Sequence, residues 1–350
     1  MLKKAKCKYC KGLFQPVRLG HRFCSDTCRK LQHKAKNRAK IQAKTKRRLG
    51  NKLQKLSNSA FGKYLVRELK RAGTVQALHG HTSETLKELA LLRNNCTSAG
   101  GYEDGAPLNT YEVSHIHPVN DSEAVGLITP MNLTIAPAEF NRKHSSKKPT
   151  IGYKGEFLTR GQLLYKWRIN DKSEALEILE IARVFIGKEF DIWLHSHTIN
   201  QTQKQTLVKK LKGLGLPEKI LIDLSIKELK TWADEEDLSY FNISKSPVEP
   251  QEMAIKELKR LRLAPELLQA LEYLQECDWS LEDPEMEFIV VKEERLNFEA
   301  HLTWQAFACL HGQPFTTEYK NKPILKYFKE KAKRTLRSLA IGPELGDEIL

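Results

Sequence analysis

Four cysteines within the first 28 residues, Cys7, Cys10, Cys24 and Cys28, constrain this chain more than any other feature. Their spacing is Cys-x2-Cys, thirteen intervening residues, then Cys-x3-Cys, which suits a tetrahedral Zn2+ ion. The first pair can occupy a knuckle turn. The second pair, at i and i+4, shares one face of a helix that it would begin. Four thiolates fill zinc's coordination sphere and leave no position for water, so this site is expected to be structural. Flanking Lys8, Lys11, Arg22 and Arg29 favour the thiolate form. Cys96, Cys277 and Cys309 stand alone and read as buried thiols, and an odd total argues against a closed disulfide framework. The opening residues lack the apolar region of a signal peptide, and no stretch approaches the roughly 18 apolar residues of a membrane span. A cytoplasmic, reducing environment with no membrane partner is therefore expected.

Charge divides the chain as sharply as cysteine does. Residues 1–72 carry 23 Lys and Arg against only Asp26 and Glu68, whereas the remainder carries 35 basic and 41 acidic residues. So steep an asymmetry calls for a polyanion partner for the N-terminal fifth, nucleic acid first. Within it, 29–56 is a helix-favouring run of Lys, Arg, Gln and Ala with charge on every face, which cannot be a packed core helix. Lacking acids, it also lacks the i,i+4 pairs that steady a solvated helix. Lys34, Lys36, Arg38, Lys40, Lys44, Lys46, Arg47 and Arg48 are therefore expected to contact a phosphate backbone. A second basic amphipathic helix is expected near 323–340, and an acidic stretch covers 265–295.

Apolar periodicity predicts amphipathic helices from Phe61 to Gly73, through Leu86 and Leu89, and through Ala175 to Phe185. Residues 97–109 read as a loop, and 244–252 as a linker. Between them, 110–119 and 132–136 read as short strands, and Pro137 opens a helix. That layout is a β-hairpin packed on a helix, with His115 and His117 ending one strand, Asn132 starting the next and Asn141 within the helix. Phosphodiester hydrolysis needs a neutral imidazole to take a proton from water and a divalent cation to steady developing charge. His195, His197, His79 and His81 lack partners at metal-ligand spacing, and no phosphate loop or dinucleotide fingerprint is present.

The block Ser114-His115-Ile116-His117-Pro118, the pair Asn132-Leu133, and Asn141 nine positions beyond Asn132 resemble the HNH, or His-Me finger, endonuclease motif. The resemblance covers about 40 residues of the chain. It implies that His115 is the general base, that Asn132 braces the hairpin loop through backbone hydrogen bonds, and that Asn141 ligates a catalytic Mg2+ or Mn2+. Arg142, Lys143 and Lys147 would then face phosphate. The family's first metal ligand is usually Asp, and this chain has Ser114. His117, Glu112 and His144 are the substitutes at hand, with His144 one helical turn from Asn141. The phrase HRFCSDTCRK is similar to the second half of small treble-clef zinc motifs, which often carry nucleic-acid-binding helices.

The expected architecture is a mainly α multidomain protein with a small ββα-metal module and an N-terminal zinc motif. Its expected parts are the four-cysteine zinc motif (1–30), a basic helical segment (31–72), the HNH-like module (73–150) and two helical domains (151–245 and 246–350). The expected activity is metal-dependent DNA endonuclease, with RNA open as a substrate of the same chemistry. The competing reading is a nucleic-acid-binding protein without catalysis, built on a degenerate version of the same fold.

Overall fold

The protein is described by a computed structural model covering residues 3–144, 147–276 and 292–313. Cys277 and the basic helix expected near 323–340 lie outside the described residues, and so does part of the acidic stretch. Among the described residues no helix is long and apolar enough to cross a membrane.

A short antiparallel hairpin, β1 (Ala5–Lys6) with β2 (Leu13–Phe14), precedes the long helix α1 (Asp26–Asn58). Ser25 caps α1 by accepting the Cys28 amide, and Asp26 places a negative charge in the first turn, where the helix dipole favours it. Up to Arg48 its basic side chains are exposed. Beyond that the helix changes character. Leu49, Leu53 and Leu56 form an i, i+4, i+7 stripe, and Leu53 and Leu56 are fully buried. The expectation that the whole basic run stays out of the core is thus corrected for its last turns. Lys52, within those turns, reaches the carbonyls of Leu194 (3.0 Å) and His195 (2.6 Å). Ser59 ends α1 and caps α2 (Ala60–Ala72), which stops at Gly73 with φ 68°, a left-handed stop that glycine adopts without strain.

Next come α3 (Ser83–Ala99), the small hairpin β3 (Tyr102–Glu103) with β4 (Ala106–Pro107), and β5 (Tyr111–His115). They lead to β6 (Ala124–Gly126), β7 (Leu133–Pro137), α4 (Ala138–His144) and β8 (Phe157–Thr159). Strand β5 pairs antiparallel with β7, Ser114 opposite Thr134 and His115 opposite Leu133. Strand β6 pairs with β8. Helices α5 (Ala175–Ile186), α6 (Lys188–Ser196), α7 (Gln203–Gly213), α8 (Glu218–Asp223) and α9 (Ile226–Glu235) follow. The described chain closes with α10 (Pro250–Leu261), α11 (Pro265–Glu276) and α12 (Lys292–Leu310).

One contiguous apolar core runs from Leu53 to Leu310, drawing on α1 to α6, the β5–β7 pair and α10 to α12. Helices α7 to α9 have a separate small core of Leu207, Leu211, Leu221, Leu229 and Ala233. Packing therefore does not divide at 150 or 245. Residues 203–240 keep an apolar core of their own, tied to the β3–β4 turn by Lys230 on the Asp104 carbonyl, while both flanking stretches join the hairpin's own core.

Helix α10 grips β7 through charge as well as apolar contact. Glu257, only 3% exposed, accepts from Thr134 Oγ1 (3.0 Å) and the Ile135 amide (3.1 Å) and pairs with Arg260 (2.6 Å). Arg260 also donates to the carbonyls of Pro130 (2.7 Å) and Leu133 (2.5 Å). Removing one partner of a buried pair leaves the other charged, desolvated and unmatched. Arg260→Met is expected to lower stability by about 3–5 kcal/mol in urea unfolding, and adding Glu257→Gln should recover part of that loss.

Candidate metal centre and hairpin cleft

The β1–β2 turn brings Cys7 and Cys10 together. Cys7 donates its amide to the Gly12 carbonyl (2.8 Å) and accepts from the Lys11 amide (3.0 Å), with Lys11 in the left-handed region at φ 63°. Cys24 immediately precedes the cap of α1, and Cys28 lies in its first turn. All four sulfurs lie within 4.8 Å of one another, with Cys10–Cys24 at 3.5 Å and Cys24–Cys28 at 3.4 Å. Four sulfurs at about 2.3 Å from a tetrahedral zinc would be roughly 3.8 Å apart, so these separations bracket the required one. The cluster could hold a metal ion such as zinc.

Its electrostatics point the same way. Desolvation opposes ionisation of Cys7, yet backbone hydrogen bonds at Cys24, Cys10 and Tyr9 outweigh it and lower its pKa to about 6. Cys24 moves oppositely, pushed up to about 12 by its contacts with the sulfurs of Cys28, Cys10 and Cys7. Crowded sulfurs cannot all ionise unless a cation screens them. A divalent ion would supply that screening and displace the remaining thiol protons.

Beyond this cluster α1 presents Lys34, Lys36, Arg38, Lys40, Lys44, Lys46, Arg47 and Arg48, all exposed. A broad groove along one side is lined by Arg29, Lys30, His33, Lys34, Asn37, Arg38, Ile41 and Gln42. Asp26, paired with Arg29 at 3.2 Å, is the helix's own acid.

At the far end of β5 lies a cleft of about 270 Å3. Arg71, Ser114, His115, Asn141, Lys147 and His311 line it, with Val113, the 118–120 turn and Gln313 completing the wall. Alternation along β5 sends Glu112 and Ser114 toward α4 and His115 to the opposite face. The two sets meet where the strand ends. His115 is partly exposed, but its Nε2 is buried and has no hydrogen-bond partner among the described residues. Burial lowers its pKa to about 4, with Glu68 opposing and Arg71 and Arg67 reinforcing the shift. The ring is therefore neutral at pH 7, the form a general base requires, while the same burial makes it a weaker base than a free imidazole.

Asn132 is fully buried, and its carboxamide makes four hydrogen bonds. Nδ2 donates to the carbonyls of His117 (3.1 Å) and Leu127 (2.7 Å), and Oδ1 accepts from the amides of His117 (2.8 Å) and Glu156 (3.2 Å). Gly155, at φ 72°, presses against it; a Cβ there would lie 2.2 Å from Asn132 Oδ1. Across the cleft Asn141 Nδ2 donates to Glu112 Oε2 (2.6 Å), and its Oδ1 faces Ser114 Oγ at 2.6 Å. Ser114 Oγ is also 2.7 Å from Nε2 of His311, a residue 197 positions later in the chain.

The structure thus brings His115, Asn141 and Lys147 to one cleft and puts Asn132 in the loop beside it. It does not bring His117 there. Strand β5 ends at His115, so alternation no longer applies, and the His117 ring stacks on Phe157 at 4.3 Å with Asp121 3.9 Å away. Its expected part in a cation site is corrected accordingly. Arg142 is paired with Glu112 (3.1 Å), and Lys143 with Glu139 (2.5 Å), so neither lines the cleft. The His144 side chain lies outside the described residues. His195 and His197 belong to a helix end held by Lys52, and His197 stacks on Trp193 at 4.7 Å. Arg71 and His311 are cleft residues that sequence reasoning missed. The basic end of an amphipathic helix hinted at Arg71, and nothing local hinted at His311.

Compared with known proteins, the chain matches no family model, no curated sequence and no solved structure. Function rests on the site alone. Metal analysis of the purified chain is expected to give one zinc per molecule, falling to near zero in Cys24→Ser or Cys28→Ser. Because the cluster lies outside the apolar core, the main thermal transition should stay within a few degrees of wild type in both variants.

Proposed function

We propose that this chain is a metal-dependent endonuclease of the HNH type that hydrolyses DNA phosphodiester bonds. The observation that carries the reading is the order strand, strand, helix, with the neutral His115 ring and the Asn141 carboxamide lining one cleft beside Arg71 and Lys147. His115 would take a proton from a water molecule as its oxygen attacks phosphorus and the bond to the 3′ oxygen breaks. Asn132 would hold the turn after His115 and so fix the ring's approach. Arg71 and Lys147 would face the phosphate oxygens. A divalent cation such as Mg2+ or Mn2+, bound at Asn141, would supply the positive charge that steadies the departing oxygen. The cysteine cluster would act structurally, starting α1, whose exposed lysines and arginines would grip the backbone by releasing counterions.

One observation favours a second reading. Position 114 is a hydroxyl rather than a carboxylate, and it is hydrogen-bonded within the protein. A chain of that kind could bind nucleic acid through α1 without cutting it.

Supercoiled plasmid separates the two. With Mn2+ or Mg2+ the wild type is expected to nick it, and His115→Ala should reduce the rate about 10²–10⁴-fold while leaving binding intact. No nicking with any divalent cation would leave the binding protein as the surviving reading. In the same preparations, DNA affinity should fall steeply with salt, and neutralising four of the exposed α1 cations should flatten that slope.

A further inference from the structure

We propose that Val17, Arg18 and Leu19, at the tip of the loop between β2 and α1, enter the minor groove of duplex DNA, the arginine lying in the groove and the two apolar side chains wedging a base step open. The inference rests on the reading of the N-terminal fifth as a DNA-binding segment, which the nuclease and the binding protein share, and it holds whether or not the chain cuts.

The loop is built to hold its tip out. Val17 is 86% exposed and Leu19 89%, the two largest values for a large apolar side chain among the described residues, and Arg18 between them is exposed as well. Single apolar residues in solvent are ordinary. These two flank an arginine on a segment that hydrogen bonds tie down below it. The His21 amide donates to the Arg18 carbonyl (3.2 Å), closing a tight turn in which Gly20 takes the left-handed position at φ 80°. The Val17 amide donates to His21 Nδ1 (3.4 Å), and the His21 ring meets Phe14 edge to face at 5.3 Å. Lower down, the Lys8 amide donates to the Arg22 carbonyl (2.9 Å), joining the loop to the turn that carries Cys7 and Cys10. A tip ordered before binding loses little freedom on contact.

Charge chooses the partner. Residues 3–24 carry seven Lys and Arg and no acid. Helix α1 continues the same field, its exposed cations from Arg29 to Arg48 running for about 30 Å, close to one turn of duplex DNA at about 34 Å. An anionic membrane would also attract lysine, but a helix lying on lipid needs an apolar face, and this stretch has charge on every side. Valine and leucine cannot stack on unpaired bases as aromatic rings do, whereas apolar side chains set between base pairs unstack a step and kink the duplex. Arginine is drawn into a narrow A·T minor groove by its negative potential. Because α1 grips phosphate without reading sequence, the tip supplies the base preference that the helix lacks.

The test places the full-length, zinc-loaded chain on short duplexes with an A·T or a G·C centre, labelled at both ends for energy transfer. The wild type is expected to draw the ends together through a bend of about 20–90° and to prefer the A·T centre at least about fivefold. The double variant Val17→Ala, Leu19→Ala should leave the bound duplex straight, while affinity, which α1 supplies, stays within about tenfold of wild type. Arg18→Ala should lose the A·T preference. All three side chains are exposed, so zinc content and melting temperature should match wild type in every variant and show that the motif is intact. A wild-type complex that holds DNA without bending it, or a bend that survives the double variant, overturns the wedge and leaves binding by α1 in place. An A·T preference unchanged in Arg18→Ala overturns the arginine's place in the groove. Absence of affinity for either duplex in the wild type removes the DNA reading altogether, and the wedge with it. Capture of the wild type by vesicles of anionic phospholipid, lost in the double variant while DNA bending persists, assigns the tip to a membrane and overturns the wedge.

Discussion

The cleft is held together by one buried carboxamide. An amide removed from water must replace its lost hydrogen bonds or cost the fold about 1–3 kcal/mol. Asn132 replaces all of them, through the backbone of His117, Leu127 and Glu156. Those residues belong to three separate stretches, the turn after β5, the exit of β6 and the approach to β8. Gly155 lets the last of these come close enough to bond. The connection between β5 and β7 is thereby pinned at its middle, and the position of His115, one residue before that turn begins, follows from it.

A hairpin and one short helix bury too little apolar surface to stand alone. Here the deficit is made up by distant parts of the chain. Helix α3 packs on β5, α10 on β7 and α12 on α4, with the Glu257–Arg260 pair and the Phe140 aromatic cluster as grips of the last two. Packing that supplies stability also delivers side chains. Arg71 enters the cleft because α2 ends beside β5, and His311 because α12 ends against Phe140. Stability of the hairpin and composition of the cleft are one problem in this fold.

What could be read from the sequence was what depends on local spacing. The four cysteines converge because a tight turn and a helix start bring nearby residues together. Strands β5 and β7 and helix α4 lie in the stretches that alternation and Pro137 marked, but β5 stops at His115 rather than 119, and Pro137 closes β7 instead of opening α4. Local rules failed where a neighbour in space decided the outcome. Leu49, Leu53 and Leu56 were hidden in a run that is basic everywhere else, and only the packing of α5 and α6 gives their stripe a meaning. His117 was misplaced because alternation was extended past the end of β5. The division at 245 ignored long-range contact between α10 and β7. His311 is separated from Ser114 by most of the chain, and no periodicity spans such a distance.

Under the proposed reading, the distribution of charge assigns affinity and chemistry to different parts of the molecule. Eleven exposed lysines and arginines lie along α1, whereas the cleft offers Arg71 and Lys147, and Arg71 is already paired with Glu68 at 2.6 Å. Two cations, one of them neutralised, cannot supply the counterion release that holds a protein on a duplex. Backbone grip must then come from α1, and it carries no base information, since lysine and arginine contacts to phosphate position a protein without specifying sequence. The cleft has the opposite character. Its imidazole is kept uncharged by burial, and Ser114, Asn141 and His311 are oriented by hydrogen bonds within the protein. A strongly cationic cleft would lower the pKa of His115 further and weaken it as a base, while also repelling a divalent ion. Keeping the positive charge on a separate helix avoids both effects, which gives the steep charge asymmetry of the sequence a physical reason beyond attraction to a polyanion.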